Sequence, residues 1–197
     1  MQKKNTYSAS STKEYNIAYI DAQNLHLGTN SVGRQIDFHK FRVYLKDKFK
    51  VQEAYYFLWF LDEEEQKLYT ALQKAWYILI FREHSSKMKG KKKWNVDVDI
   101  CFEMMKRVCE DDEFDHIVLV TGDGDYIKPV KYLIEKSKFK KILFPNDKYS
   151  SLYRQLQDFY AMNLSKHDVI KKIWYTKKVG NKKRTKKKIK QNKKGTP

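Results

Sequence analysis

Cysteine is scarce in this chain: only Cys101 and Cys109 occur, eight positions apart in one helical stretch. They fit neither a zinc-ligand spacing nor a disulfide framework, so the expected setting is a reducing compartment. Long hydrophobic runs are also missing. The longest, Ala54 to Leu61, falls far short of the roughly 20 residues that cross a bilayer. Met1 to Glu14 is polar and rich in Ser and Lys, without the apolar core of a signal peptide. A soluble cytoplasmic protein with no membrane association is therefore expected. No glycine-rich phosphate loop follows the first predicted strand, where only Gly28 is close, and no nucleophile elbow occurs. These absences argue against a dinucleotide-binding domain and a Ser or Cys hydrolase. The five histidines are scattered, with His26 alone near a motif. There is no internal repeat and no second core.

Aromatic residues and basic charge are abundant. The 197 residues suggest one domain of roughly 150 residues plus tails, and 14 Tyr and 11 Phe can fill its core. The net charge is +17, but 13 of the 41 Lys and Arg lie from Lys171 onward, where no acid occurs. Residues 1–170 therefore carry 28 basic against 24 acidic side chains. A basic run without apolar residues stays disordered and attracts polyanions by releasing their counterions, with nucleic acid the first choice of partner.

Apolar periodicity predicts strands at Tyr15 to Ile20, Val51 to Phe60, Tyr77 to Phe81, His116 to Val120 and Lys141 to Phe144. Helices are expected from Asp37 to Phe49, Asp62 to Trp76, Asn95 or Val96 to about Glu110, Tyr126 to Ser137, Ser150 or Ser151 to about Met162, and Asp168 to Trp174. Alternation of this kind argues for one α/β domain, residues 14–175, with a mainly parallel sheet of about five strands and helices on both faces. Residues 1–13 and 176–197 are expected to be disordered tails.

Asp21 ends the first strand, while Asp123 and Asp125 sit on the two-glycine loop Thr121-Gly122-Asp123-Gly124-Asp125 after the fourth. Acids crowded on such a loop repel one another and lose solvation, which a cation or a shared proton offsets; a solvated turn with Asp capping the next helix is the alternative. Asp97 shares a helical stripe with Cys101, Met104 and Val108, the face expected to pack on the sheet. An inward carboxylate there is costly unless paired or ligated. Asp99 and Glu103 fall on the opposite, solvated face, with Asp99 close enough to assist. Strands one and four are commonly neighbours at the switch in strand order of a parallel sheet, so these acids can converge. Four carboxylates suit Mg²⁺ or Mn²⁺, ions that activate water against a phosphodiester. Lys87, Lys89, Lys91, Lys92 and Lys93, with the tail, would hold the polyanion. Trp94 beside them offers a stacking face, although packing on the domain also accounts for it.

Tyr-Ile-Asp-Ala-Gln-Asn-Leu, Val-Asp-Val-Asp and Val-Thr-Gly-Asp-Gly-Asp-Tyr, in this order and spacing, resemble the NYN domain of the LabA type, a branch of the PIN-like nucleases, over about residues 15–175. The resemblance implies a three-layer PIN-like fold and metal-dependent cleavage of RNA. It implies metal-ligand roles for Asp21, Asp97, Asp123 and Asp125, a supporting role for Asn24, and a minor one for Glu103, where many members carry Asp. Trp94-Asn95 stands where many members have Lys-Gly, so a catalytic lysine is not implied at that point. A haloacid-dehalogenase-like phosphatase needs a second Asp at position 23, which is Gln. A metal-dependent endoribonuclease acting on RNA, with DNA as the alternative nucleic acid, is the leading expectation. A homodimer or a delivery partner is compatible with it. The rival is a non-catalytic RNA-binding or adaptor module that keeps the fold, against which the retention of all four acids speaks.

Overall fold

A computed structural model describes residues 14–59, 63–82, 96–110 and 113–175. The tails, the Lys87 to Lys93 loop and Trp94-Asn95 lie outside these residues. The chain runs β1 (Asn16–Asp21), α1 (Ala22–Asn30), α2 (Phe38–Phe49), β2 (Val51–Leu58), α3 (Gln66–Lys74), β3 (Ile78–Phe81), α4 (Asp97–Glu110), β4 (His116–Val120), α5 (Ile127–Glu135), β5 (Phe139–Phe144), β6 (Ala161–Asn163) and α6 (His167–Ile173). The strands form one six-stranded sheet in the order β3-β2-β1-β4-β5-β6, and every pairing is parallel.

Helices cover both faces, so the central strands read as continuous apolar runs rather than alternating ones. On one face Ala18, Ile20, Val118 and Val120 pack against Leu25 of α1, Phe41 and Leu45 of α2, Leu72 of α3 and Ile173 of α6. On the other, Ile17, Tyr19, Ile117 and Leu119 meet Ile100 and Met104 of α4 and Val130 and Leu133 of α5. The strand order reverses between β1 and β4, which pair from Asn16↔His116 to Ile20↔Val120. Asp21 therefore stands beside Thr121 at the carboxyl edge of the sheet, where open α/β folds place their ligands.

Several expectations need correction. Residues 22–30 form a helix that the apolar pattern did not mark, and Ala161–Asn163 adds a sixth strand. The helix expected from Ser150 to Met162 is two 3₁₀ turns, Ser151–Gln155 and Asp158–Tyr160. Leu156 and Gln157 between them are extended, and Leu152 and Phe159 are 48% and 56% exposed, where a continuous helix at their spacing would turn them inward together. Tyr153 is the buried residue instead. The packed stripe of α4 is centred on Ile100 and Met104, leaving Asp97, Cys101 and Val108 half-buried at its flank. Asp99 and Glu103 are also half-buried rather than solvated.

Helices α3 and α5 end without glycine. Trp76 and Ser137 adopt φ of 64° and 56° just beyond them, and Ser137 N–H and Lys138 N–H donate to Ile134 O (2.9 Å) and Leu133 O (2.8 Å). This Schellman pattern ordinarily favours Gly at the left-handed position. None of the described helices is long and apolar enough to cross a membrane.

Candidate metal centre

The site is assembled from three segments, each placed by its own local hydrogen bonds. Asp21 shares its side of β1 with Ile17 and Tyr19, which lie in the core beneath α4. Its carboxylate caps α1, accepting from Asn24 N–H at 2.9 Å, and also accepts from Thr121 Oγ1 at 3.4 Å. Asn24 Oδ1 accepts from Gly122 N–H at 2.6 Å, tying α1 to the acidic loop. Within that loop Asp123 N–H donates to Thr121 Oγ1 at 3.1 Å, and Asp125 N–H donates to Asp123 Oδ1 at 3.1 Å. These short-range bonds fix the turn that carries residues 123 and 125 at the strand end.

The loop is braced from behind by the segment after β5. Ser150 N–H donates to Gly122 O at 2.9 Å, and Tyr153 OH donates to Asp123 O. The approach is close enough that a Cβ on Gly124 would fall 2.4 Å from Ser150 Oγ and 2.9 Å from Ser150 Cβ. Asp97 opens α4, where its charge complements the helix dipole, and accepts from the Tyr126 hydroxyl at 2.6 Å. Burial and the Asp21 and Asp97 charges hold Tyr126 well above the usual phenol range, so it stays a neutral donor.

One carboxylate oxygen from each of Asp97, Asp123 and Asp125 lies within 4.8 Å of the others. Asp21 is not in that trio. It lies behind it, 6% exposed, its pKa raised to about 6, chiefly by burial and further by the Asp97 and Asp123 charges. The profile of the NYN domain matches residues 17–190. The chain belongs to the NYN domain family.

Among solved structures, a protein of unknown function from Vibrio parahaemolyticus superposes on this NYN domain with a TM-score of 0.64. It is 19% identical and covers 79% of this chain and 94% of its own, a likeness of fold. No curated protein matches significantly. NYN domains are generally nucleases, so family membership together with the acidic cluster suggests a PIN-like nuclease.

The remaining expected residues of the NYN domain are distributed as follows. Asp99 turns from the trio toward Arg82, 3.7 Å away. Glu103 offers its backbone carbonyl to the Tyr19 hydroxyl at 3.5 Å. The five candidate lysines lie outside the described residues. Cys101 is pushed up to about 11 by burial and by the neighbouring Asp97 and Asp125 charges, which keeps its thiol protonated and unreactive. Thr121, Tyr126, Tyr153 and Ser150 hold the acids in place, yet only Thr121 and Tyr126 belong to a motif visible in the sequence. The donor set fits a hard divalent cation: all three converging groups are carboxylates, and among the described residues neither Asp123 nor Asp125 has a Lys or Arg within ion-pair distance.

Proposed function

We propose that this NYN domain is a metal-dependent endoribonuclease of the LabA-like, PIN-like type, hydrolysing internal phosphodiester bonds of RNA. The observation that carries the reading is the meeting of Asp97, Asp123 and Asp125, from segments far apart in sequence, at the carboxyl edge of a parallel sheet. Mg²⁺ or Mn²⁺, when bound, supplies Lewis acidity to a phosphodiester oxygen and acidifies a water. Asp97, Asp123 and Asp125 hold the cation, and Asp21 adds negative charge from beneath. Tyr126 fixes one oxygen of Asp97, and Asn24 keeps α1 and the acidic loop in register. The Lys87, Lys89, Lys91, Lys92 and Lys93 loop and the basic tail attract the polyanion.

The test is incubation of the purified chain with mixed linear and circular single-stranded RNAs, with EDTA or Mn²⁺, followed by sequencing of fragment ends. Cutting in Mn²⁺ alone, opening of the circles, and loss of both in Asp123→Asn are expected. Absence of fragments with Mn²⁺, or equal cutting by Asp123→Asn, refutes the reading.

A further inference from the structure

We infer that the cavity on the far side of α1 from the acidic loop is a nucleobase subsite, receiving an unpaired base next to the phosphate that is cut. The inference rests on the RNA-cleaving reading above for its substrate class. The cavity measures about 630 Å³, within the range of about 300 to 1,000 Å³ typical of small-ligand sites. Phe38, Trp59 and Tyr69 contribute aromatic rings to its lining, and Gln23, His26 and Asn30 contribute amide and imidazole groups from α1. Asn30 Nδ2 lies 2.8 Å from His26 Nε2, which leaves the other ring nitrogen and the Asn30 carbonyl for a ligand.

Position carries the argument further. Ala22, also in the lining, directly follows Asp21, and Asp21 pairs in register with Phe57 near the end of β2, whose next two residues line the cavity. Neighbouring strands are about 4.8 Å apart, so the cavity opens one strand away from Asp21 and two from the acidic loop, along the same sheet edge. Helix α1 is the shared wall: Asn24 faces the acidic loop, while residues 23, 26 and 30, at helical spacing, face the cavity. Aromatic faces combined with hydrogen-bonding edges are what single-stranded RNA recognition uses, since an unstacked base offers a π-face and a polar edge together.

The experiment compares, in EDTA, the affinity of the full chain for a single-stranded RNA decamer and for the same decamer with all bases removed. Base–aromatic stacking predicts about a tenfold preference for the base-bearing strand. Trp59→Leu, which removes a ring, and Leu68→Trp, which fills the cavity, should each abolish that preference and leave binding of the abasic strand unchanged. Gln23→Ala, at an exposed position, should flatten the base preference at a fixed offset from the cut. A preference that survives both cavity variants overturns the subsite, even if RNA is cut. A preference that both variants abolish, without any cutting in Mn²⁺, sustains the subsite and refutes the nuclease reading alone.

Discussion

Replacing Asp21 by Asn should make the metal-free protein more stable at alkaline pH. Asp21 is held in the folded state with a pKa of about 6 against an ordinary value of 3.8, mainly because burial disfavours its charge. Below about pH 4 folded and unfolded chains both keep the proton, and the group has no differential effect. Between about pH 4 and pH 6 the folded chain holds a proton that the unfolded chain has released, so stability falls as pH rises. Above about pH 6 the whole cost is present. At about 1.4 kcal/mol per pH unit, the gap between 3.8 and about 6 corresponds to about 3 kcal/mol.

Asn is uncharged, caps helices as well as Asp, and can still accept from Asn24 N–H. It loses the bond accepted from Thr121 at 3.4 Å, a loss of about 1 kcal/mol. The variant should therefore gain about 2 kcal/mol at pH 8 and lose about 1 kcal/mol at pH 4. Urea unfolding in EDTA at the two pH values measures both, and a difference between variant and parent that does not change with pH refutes the electrostatic account of Asp21. Adding Mn²⁺ at pH 8 should raise the parent's stability more than the variant's, because a ligand stabilises only in proportion to its affinity for the folded state.

Tyr126→Phe removes the donor that fixes Asp97 and should raise the Mn²⁺ concentration for half-maximal cleavage by about tenfold, measured by metal titration of the cutting rate. Gly124→Ala forces the acidic loop away from Ser150 and should cost about 1 to 3 kcal/mol in urea unfolding. Adding Ser150→Gly to that variant should recover part of the loss, since the clash is with the side chain of residue 150. Ser137→Gly relieves a left-handed residue at φ 56° and should add about 1 kcal/mol of stability with no effect on cleavage.

The parallel sheet was legible because its strands are β-branched or aromatic runs separated by helical stripes, and the meeting of β1 with β4 followed from the usual switch in strand order. Asp97 was legible as a charge on an otherwise apolar flank. Helix α1 was not, because Ala22–Asn30 buries only Ala22, Leu25 and Thr29 and carries Gly28 in its interior. That glycine is required by a distant contact: a Cβ there would lie 2.5 Å from Pro145 Cβ. Leu152, Leu156 and Phe159 have helical spacing, yet Tyr153 anchors the segment to Asp123, and the backbone extends at Leu156 and Gln157. Strand β6, three residues long, is too short to leave a periodic signal. The ends of α3 and α5, expected at Trp76 and Ser137 and found at Lys74 and Glu135, were legible although neither uses the glycine that ordinarily marks such a stop.

All four aspartates have been synthesised by residue 125, but the clasp on their loop arrives only with Ser150 and Tyr153. A nascent chain that has emerged no further than β5 thus carries every acid without the brace behind their loop. Competence for cation capture is therefore tied to completion of the fold, and a truncation after Phe144 should silence the centre while sparing every carboxylate in it.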